Sequence, residues 1–145
     1  MKKTILVTGS AGFIGANFVR DWFASSTDDI VSLDKLTYAG NLENLAGMDQ
    51  SRHVFVKGDI GNPTLVATLL KEHKPRAIIN FAAESHVDRS IHGPEDFIQT
   101  NMVGTFHLLQ QTREYWNELN AEDKKQFRFL HVSTDEVYGQ LSASD

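Results

Sequence analysis

The run Thr4-Ile5-Leu6-Val7 breaks directly into Thr8-Gly9-Ser10-Ala11-Gly12-Phe13-Ile14-Gly15 and then into a segment of helical period. A strand that turns straight into a helix through three glycines at three-residue spacing leaves few folds open. The glycines permit a tight turn and a close helix–strand approach. The alternation recurs along the chain. Apolar runs predict strands over residues 4–7, 30–33, 54–56, 77–81 and 127–132, and the periodic segments between them predict helices over 12–24, 63–73 and 94–119. Proline opens the last two helices, where its missing N–H costs nothing. Strand-helix-strand units joined by right-handed crossovers imply an α/β fold, a doubly wound parallel sheet whose ligands lie beyond the carboxyl ends of the strands.

Bulk composition narrows the function. At 145 residues and 41% hydrophobic, the chain is one domain's worth, residues 1–145. A net charge of −5, with the fourteen Lys and Arg scattered, argues against a nucleic-acid partner, which needs clustered cations. Lys124-Lys125 reads as a solvated helix end. The absence of cysteine removes disulfides, thiolate catalysis and zinc–cysteine sites, and fits a reducing compartment. Met1-Lys2-Lys3 ahead of an apolar run has the outline of a secretion signal, but Thr4, Thr8, Gly9, Ser10 and Gly12 interrupt the run. No stretch approaches the roughly twenty apolar residues of a membrane span, so a cytoplasmic protein with no membrane partner is expected.

The glycine spacing suits a dinucleotide. Gly9 allows the turn, Gly12 lets main chain approach a pyrophosphate at the positive end of the following helix, and Gly15 lets that helix pack on the strand. A merely structural turn is the alternative for such a motif alone. The second strand ends in Asp34, where a carboxylate can accept from the adenosine ribose and repel a 2′-phosphate, favouring NAD over NADP; capping a turn is its bland reading. Asp59, in Lys57-Gly58-Asp59-Ile60, could border the adenine or simply mark a turn. No Gly-Lys-Ser/Thr is present, which excludes a P-loop nucleotidase. Beyond the fourth strand, Ala82 and Ala83 leave room for a flat ring, with polar groups from Glu84 to Ser90 behind. His86 and His92 lack a third ligand at helical spacing, so no metal is expected. The helix predicted over 94–119 carries Phe97, Ile98, Val103, Phe106, Leu108, Leu109 and Trp116, more apolar surface than one sheet face requires. Core packing and a subunit contact are the two readings. Past the fifth strand, Ser133-Thr134-Asp135-Glu136-Val137-Tyr138-Gly139 sets two adjacent carboxylates, a pattern suited to proton transfer.

These four motifs, with Asp34-Lys35-Leu36-Thr37-Tyr38-Ala39-Gly40-Asn41-Leu42 and Ala82-Ala83-Glu84-Ser85-His86-Val87-Asp88-Arg89-Ser90 in the middle, closely resemble the dTDP-glucose 4,6-dehydratase family of extended short-chain dehydrogenases/reductases. The resemblance runs the length of the chain. It implies a Rossmann-type NAD-binding domain, incomplete on its carboxyl-terminal side, and a reaction that oxidises sugar C4, eliminates water across C5 and C6, and reduces C6. By the same resemblance Glu136 takes the C5 proton, Asp135 protonates the departing C6 hydroxyl, and Thr134 holds the C4 oxygen. Gly9, Gly12, Phe13, Ile14, Gly15, Asp34, Lys35, Leu36, Thr37, Asp59, Ile60, Phe81, Ala82, Ala83, Glu84, Ser85 and Thr100 would contact NAD. Ser85 and Thr134 would touch the nucleotide-sugar substrate, dTDP-glucose, and Asn101 would support the site. A homodimer is implied for the intact protein.

One departure stands out. The family's oxidising base is a tyrosine with a lysine four residues on, whereas Tyr38, Tyr115 and Tyr138 are followed at that spacing by Leu42, Leu119 and Ser142. The isolated chain is therefore expected to be inactive, its last residues reading as a loop cut in mid-course. A dehydratase or epimerase acting on another nucleotide sugar, and a non-catalytic dinucleotide-binding module, are the rival readings.

Overall fold

The computed structural model describes residues 3–86, 91 and 93–139, the side chains of Asp135 and Glu136 excepted. Strands β1 (Thr4–Thr8), β2 (Asp29–Asp34), β3 (His53–Lys57), β4 (Ala77–Asn80) and β5 (Arg128–His131) form one parallel sheet in the order β3-β2-β1-β4-β5. This is the doubly wound, Rossmann-type arrangement that the alternating runs imply. The three inner strands are buried almost throughout, as parallel strands covered on both faces must be.

Side chains alternate between two cores because the strand repeat is two residues. Ile5, Val7, Ile30 and Ile79 face helix α1 (Phe13–Ser25), packing with Ala16 and Val19. Leu6, Val31, Leu33 and Ile78 face the other way, against Val66, Leu69 and Leu70 of α2 (Pro63–His73) and against Leu108. Local chemistry fixes the ends of α2. Asn62 accepts a hydrogen bond from Leu65 N at 3.1 Å, Pro63 follows at the first helical position, and Lys74 closes the helix in a left-handed conformation.

The helix predicted over 94–119 is not uniform. Its α-helical parts, α3 (Pro94–Phe97) and α4 (Thr105–Glu118), flank a π-helical segment, Ile98–Gly104. Gly104 lies in that segment against Ile60, where an added Cβ would come within 3.1 Å of Ile60 Cγ1. The wider turn thus lets the rod settle onto the loop after β3. Leu108 and Thr112 point into the core, while Ile98, Met102, Phe106, Leu109 and Trp116 form an exposed apolar stripe. A further short helix, α5 (Ala121–Gln126), is capped by Asn120, which accepts from the amides of Glu122 and Asp123. The pattern did not predict α5 as an element, although Lys124 and Lys125 do occupy its last turn. Strand ends move slightly: Thr8, Asp34 and Lys57 lie within strands, while Phe81, Phe127 and Val132 lie outside them. Among the described residues no helix is long and apolar enough to cross a membrane.

On β3, His53 is buried and its Nε2 lies 2.8 Å from Ser32 Oγ of β2. Burial disfavours the imidazolium and lowers the His53 pKa from its ordinary 6.5. The unfolded chain therefore takes up this proton first, so the contribution is fully present above about pH 6.5 and erodes as pH falls toward the folded value. The loss of urea resistance between about pH 7 and pH 5 should be smaller in His53→Asn than in the parent, and an equal loss in both would contradict this account.

Candidate functional site at the strand tips

The turn after β1 is built by contacts that leave no room for side chains. Gly9 has φ +65°, and a Cβ there would lie 2.5 Å from Ala82 N; at Gly15 a Cβ would collide with the Gly9 carbonyl oxygen. The turn is thereby pressed between the loop after β4 and the start of α1. Gly12 caps α1 with no side-chain hydrogen bond, and the first turn contains no acid. Phe13 and Ile14 are exposed there. With no side-chain cap and no acid of its own in the first turn, this helix start has the positive end that can face an anion such as a diphosphate.

Beside it, Asp34 at the end of β2 is 8% exposed. Its Oδ2 accepts from Ala11 N at 2.8 Å and its Oδ1 from Leu36 N at 2.8 Å. Those bonds hold the carboxylate at the tip of the strand, and each oxygen keeps a second lone pair for a hydroxyl donor. The β2 loop is tied to the glycine turn again, Asn41 N and Asn44 Nδ2 both donating to the Ala11 carbonyl at 3.0 and 2.9 Å.

A crevice of about 200 Å³ opens next to this, lined in part by Lys35, Asp59, Gly61, Asn62 and Thr100. Lys35 Nζ lies 2.8 Å from Asp59 Oδ2, and Gly61 N donates to Asp59 Oδ1 at 2.7 Å. Burial pushes the Asp59 carboxyl up, but the Lys35 bond and the Gly61 amide outweigh it and hold the group below its ordinary value. The bond from Asp59 raises Lys35 against the opposing effect of burial. Ile60 instead points into the core, 4% exposed, so only its main chain can face the crevice.

On the other side of β1, Asn80 organises the tip of β4. Its Oδ1 accepts from Thr8 Oγ1 and from Ala82 N (3.2 Å), and its Nδ2 lies 2.9 Å from His131 Nδ1 of β5. This network links β1, β4 and β5 where ligands of such sheets bind. No role for Thr8, Asn80 or His131 follows from the sequence alone; a polar residue at or near the end of an apolar strand run is the signal that could have found them. Phe81 packs against Phe18 of α1 with the rings tilted by 50° and their centroids 5.3 Å apart, while Ala83 and Ser85 are exposed. Glu84 is held by Asn101 from the π segment: Glu84 N donates to Asn101 Oδ1 at 2.8 Å, and Asn101 Nδ2 donates to Glu84 O at 2.9 Å. The π turn places that amide opposite the loop.

The structure thus gathers Gly9 to Gly15, Asp34 to Thr37, Asp59, Thr100 and Phe81 to Ser85 around the tips of β2, β1 and β4. Thr134 lies past β5, two strands from β1, ahead of a 3-10 turn at Asp135–Tyr138. The side chains of Asp135 and Glu136, and residues Val87 to Ser90, His92 and 140–145, lie outside the described residues. Among the described residues, no group of three or more His, Asp or Glu is placed to hold a metal ion.

The chain matches the family model described as GDP-mannose 4,6 dehydratase over residues 6–145. It is 60% identical over 139 residues to the dTDP-glucose 4,6-dehydratase of Xanthomonas campestris pv. campestris (strain B100), covering 95% of this chain and 39% of that protein. A solved dTDP-glucose 4,6-dehydratase from Streptomyces venezuelae, DesIV with NAD and TYD bound, superposes with TM-score 0.84 at 46% identity, covering 97% of this chain and 42% of the other. The dTDP-glucose 4,6-dehydratase of Bacillus anthracis str. Ames in complex with NAD gives 0.81 at 41% identity, covering 99% and 41%. The chain spans about two fifths of the length of these relatives.

Asn101→Ala would strand the Glu84 amide and carbonyl without their partner, a cost of about 1–3 kcal/mol. Urea denaturation should show that loss, with Asn101→Asp between variant and parent; a midpoint unchanged in Asn101→Ala would refute the clamp.

Proposed function

The chain belongs to the GDP-mannose 4,6 dehydratase family, and we propose that it forms the dinucleotide-binding part of a dTDP-glucose 4,6-dehydratase, with NAD lying across the tips of β2, β1 and β4. The observation that carries this reading is the glycine turn, whose uncapped helix amides sit beside a carboxylate pinned by Ala11 N. The 60% identity to a dTDP-glucose 4,6-dehydratase supports that substrate over the GDP-sugar of the family's description. Exchanging the nucleotide sugars in an assay of the complete protein separates the two.

In this reading Gly9, Gly12 and the amides of Phe13, Ile14 and Gly15 take the diphosphate. Asp34 accepts from the ribose hydroxyls, and Lys35, Leu36, Thr37, Asp59, Ile60 and Thr100 enclose the adenosine end. Phe81, Ala82, Ala83, Glu84 and Ser85 line the place of the nicotinamide. Bound there, NAD supplies a hydride acceptor for sugar C4 and later a donor for C6. Thr134 donates to the C4 oxygen, with Ser85 touching the substrate beside it. Glu136 takes the proton from C5, the freed electron pair becomes the C5–C6 double bond, and the C6–O bond breaks as Asp135 delivers the proton that completes water. These roles need one carboxyl ionised and its neighbour protonated, a state adjacent acids favour by resisting double ionisation.

Oxidation at C4 also needs a base that these residues do not supply. Tyr115 donates its hydroxyl to the Pro75 carbonyl at 3.1 Å, and burial raises its pKa, so it serves packing. Lacking a base, which alone contributes about 10² to 10⁴ in rate, the 145-residue chain binds NAD without turnover. Detection of 4-keto product from the pure chain would contradict this. Calorimetry should show NAD binding at least about tenfold tighter than NADP, because Asp34 meets the charge of a 2′-phosphate. No heat from a folded sample, or equal affinities, would contradict the assignment.

The stripe of Ile98, Met102, Phe106, Leu109 and Trp116 supports self-association through this helix, the arrangement implied for the intact protein. Sedimentation at rising concentration should show dimers, and a monomer throughout would refute the contact.

A further inference from the structure

Tyr38 and Glu84 lie 46 residues apart in sequence, on the loops that follow β2 and β4, yet Tyr38 Oη donates to Glu84 Oε2 at 2.9 Å. The Tyr38 ring also stacks on His86, with centroids 5.2 Å apart and planes 25° from parallel. Since β2 and β4 flank β1 in the sheet, the link joins the two sides of the glycine turn. Both of its footings are stiff. Tyr38 stands on a loop fixed on one side by the Asp34–Leu36 bond and on the other by Gly40 N to Thr37 O and Asn41 N to Ala11 O. Glu84 stands on main chain gripped at both N–H and C=O by Asn101. Tyr38 is 41% exposed.

We propose that Tyr38 belongs to the cofactor site as a strap: its bond to Glu84 spans the tip of β1 and must open for a dinucleotide to enter or leave. The proposal rests on the cofactor assignment above. With both footings fixed, opening falls to side-chain rotation, and the charge-assisted bond to the carboxylate sets part of the barrier. Losing the bond therefore speeds passage in both directions, whereas losing an ordinary contact to the bound molecule would speed only release.

The 145-residue chain is loaded with NADH and mixed with excess NAD, and release is followed by the loss of NADH fluorescence; association is followed separately by its gain. Tyr38→Phe keeps the ring and removes the hydroxyl, and should raise both rates about fivefold. Glu84→Ala should do likewise, and the double variant should be no faster than the faster single one, because both remove the same bond. Tyr38→Phe matching the parent in both rates, or effects that multiply in the double variant, would overturn the strap alone. A parent chain that takes up no NADH would overturn the cofactor assignment and the strap with it.

Discussion

The contact on which the rest depends is the approach of α1 to the turn after β1, where Gly15 lies against the Gly9 carbonyl and Gly9 against the main chain of Ala82. A methyl group at either position has nowhere to go. Because the helix starts this close to the strand, its first amides open at the tip of the sheet and Ala11 N reaches the Asp34 carboxylate. Because Gly9 sits under Ala82, the loop after β4 is drawn across the same turn. Three strand tips are thereby brought to one place by packing, before any ligand chemistry is considered.

Around that turn, polar groups are tied to main chain more than to one another. Asp34 holds Leu36 and Ala11, Asp59 holds Gly61, Asn101 holds Glu84 at both ends, and Asn80 reaches Ala82. Such bonds fix loop shape through the main chain, which is how a site is held in place without a ligand's help. The Lys35–Asp59 pair differs: both partners are partly exposed, so its worth lies in shaping the crevice wall more than in stability.

Much of the fold was legible because parallel strands buried on both faces must be short apolar runs, and because proline and asparagine mark helix starts, as at Asn62-Pro63. Asp34 and the glycine turn were legible for the same reason: each does a job that few residue types can do. The π segment was not, since Ile98, Met102 and Phe106 repeat at a spacing an α-helix also satisfies, and the contact of Gly104 with Ile60 that accompanies the wider turn is made to a residue distant in sequence. Helix α5 escaped notice because Ala121–Gln126 carries no apolar periodicity and depends on the Asn120 cap. The links from Tyr38 to Glu84 and from Asn80 to His131 join loops and strands distant in sequence, so no local pattern announces them.

The central claim is that a dinucleotide lies with its diphosphate on the first turn of α1 and its ribose on Asp34. Titrating NAD into isotopically labelled chain and following backbone amide resonances tests it residue by residue. The account predicts the largest shifts at Phe13, Ile14, Gly15 and Lys35, with Val66 and Leu70 of α2 unmoved. Shifts confined to other faces of the sheet, or none at saturating NAD, would contradict it.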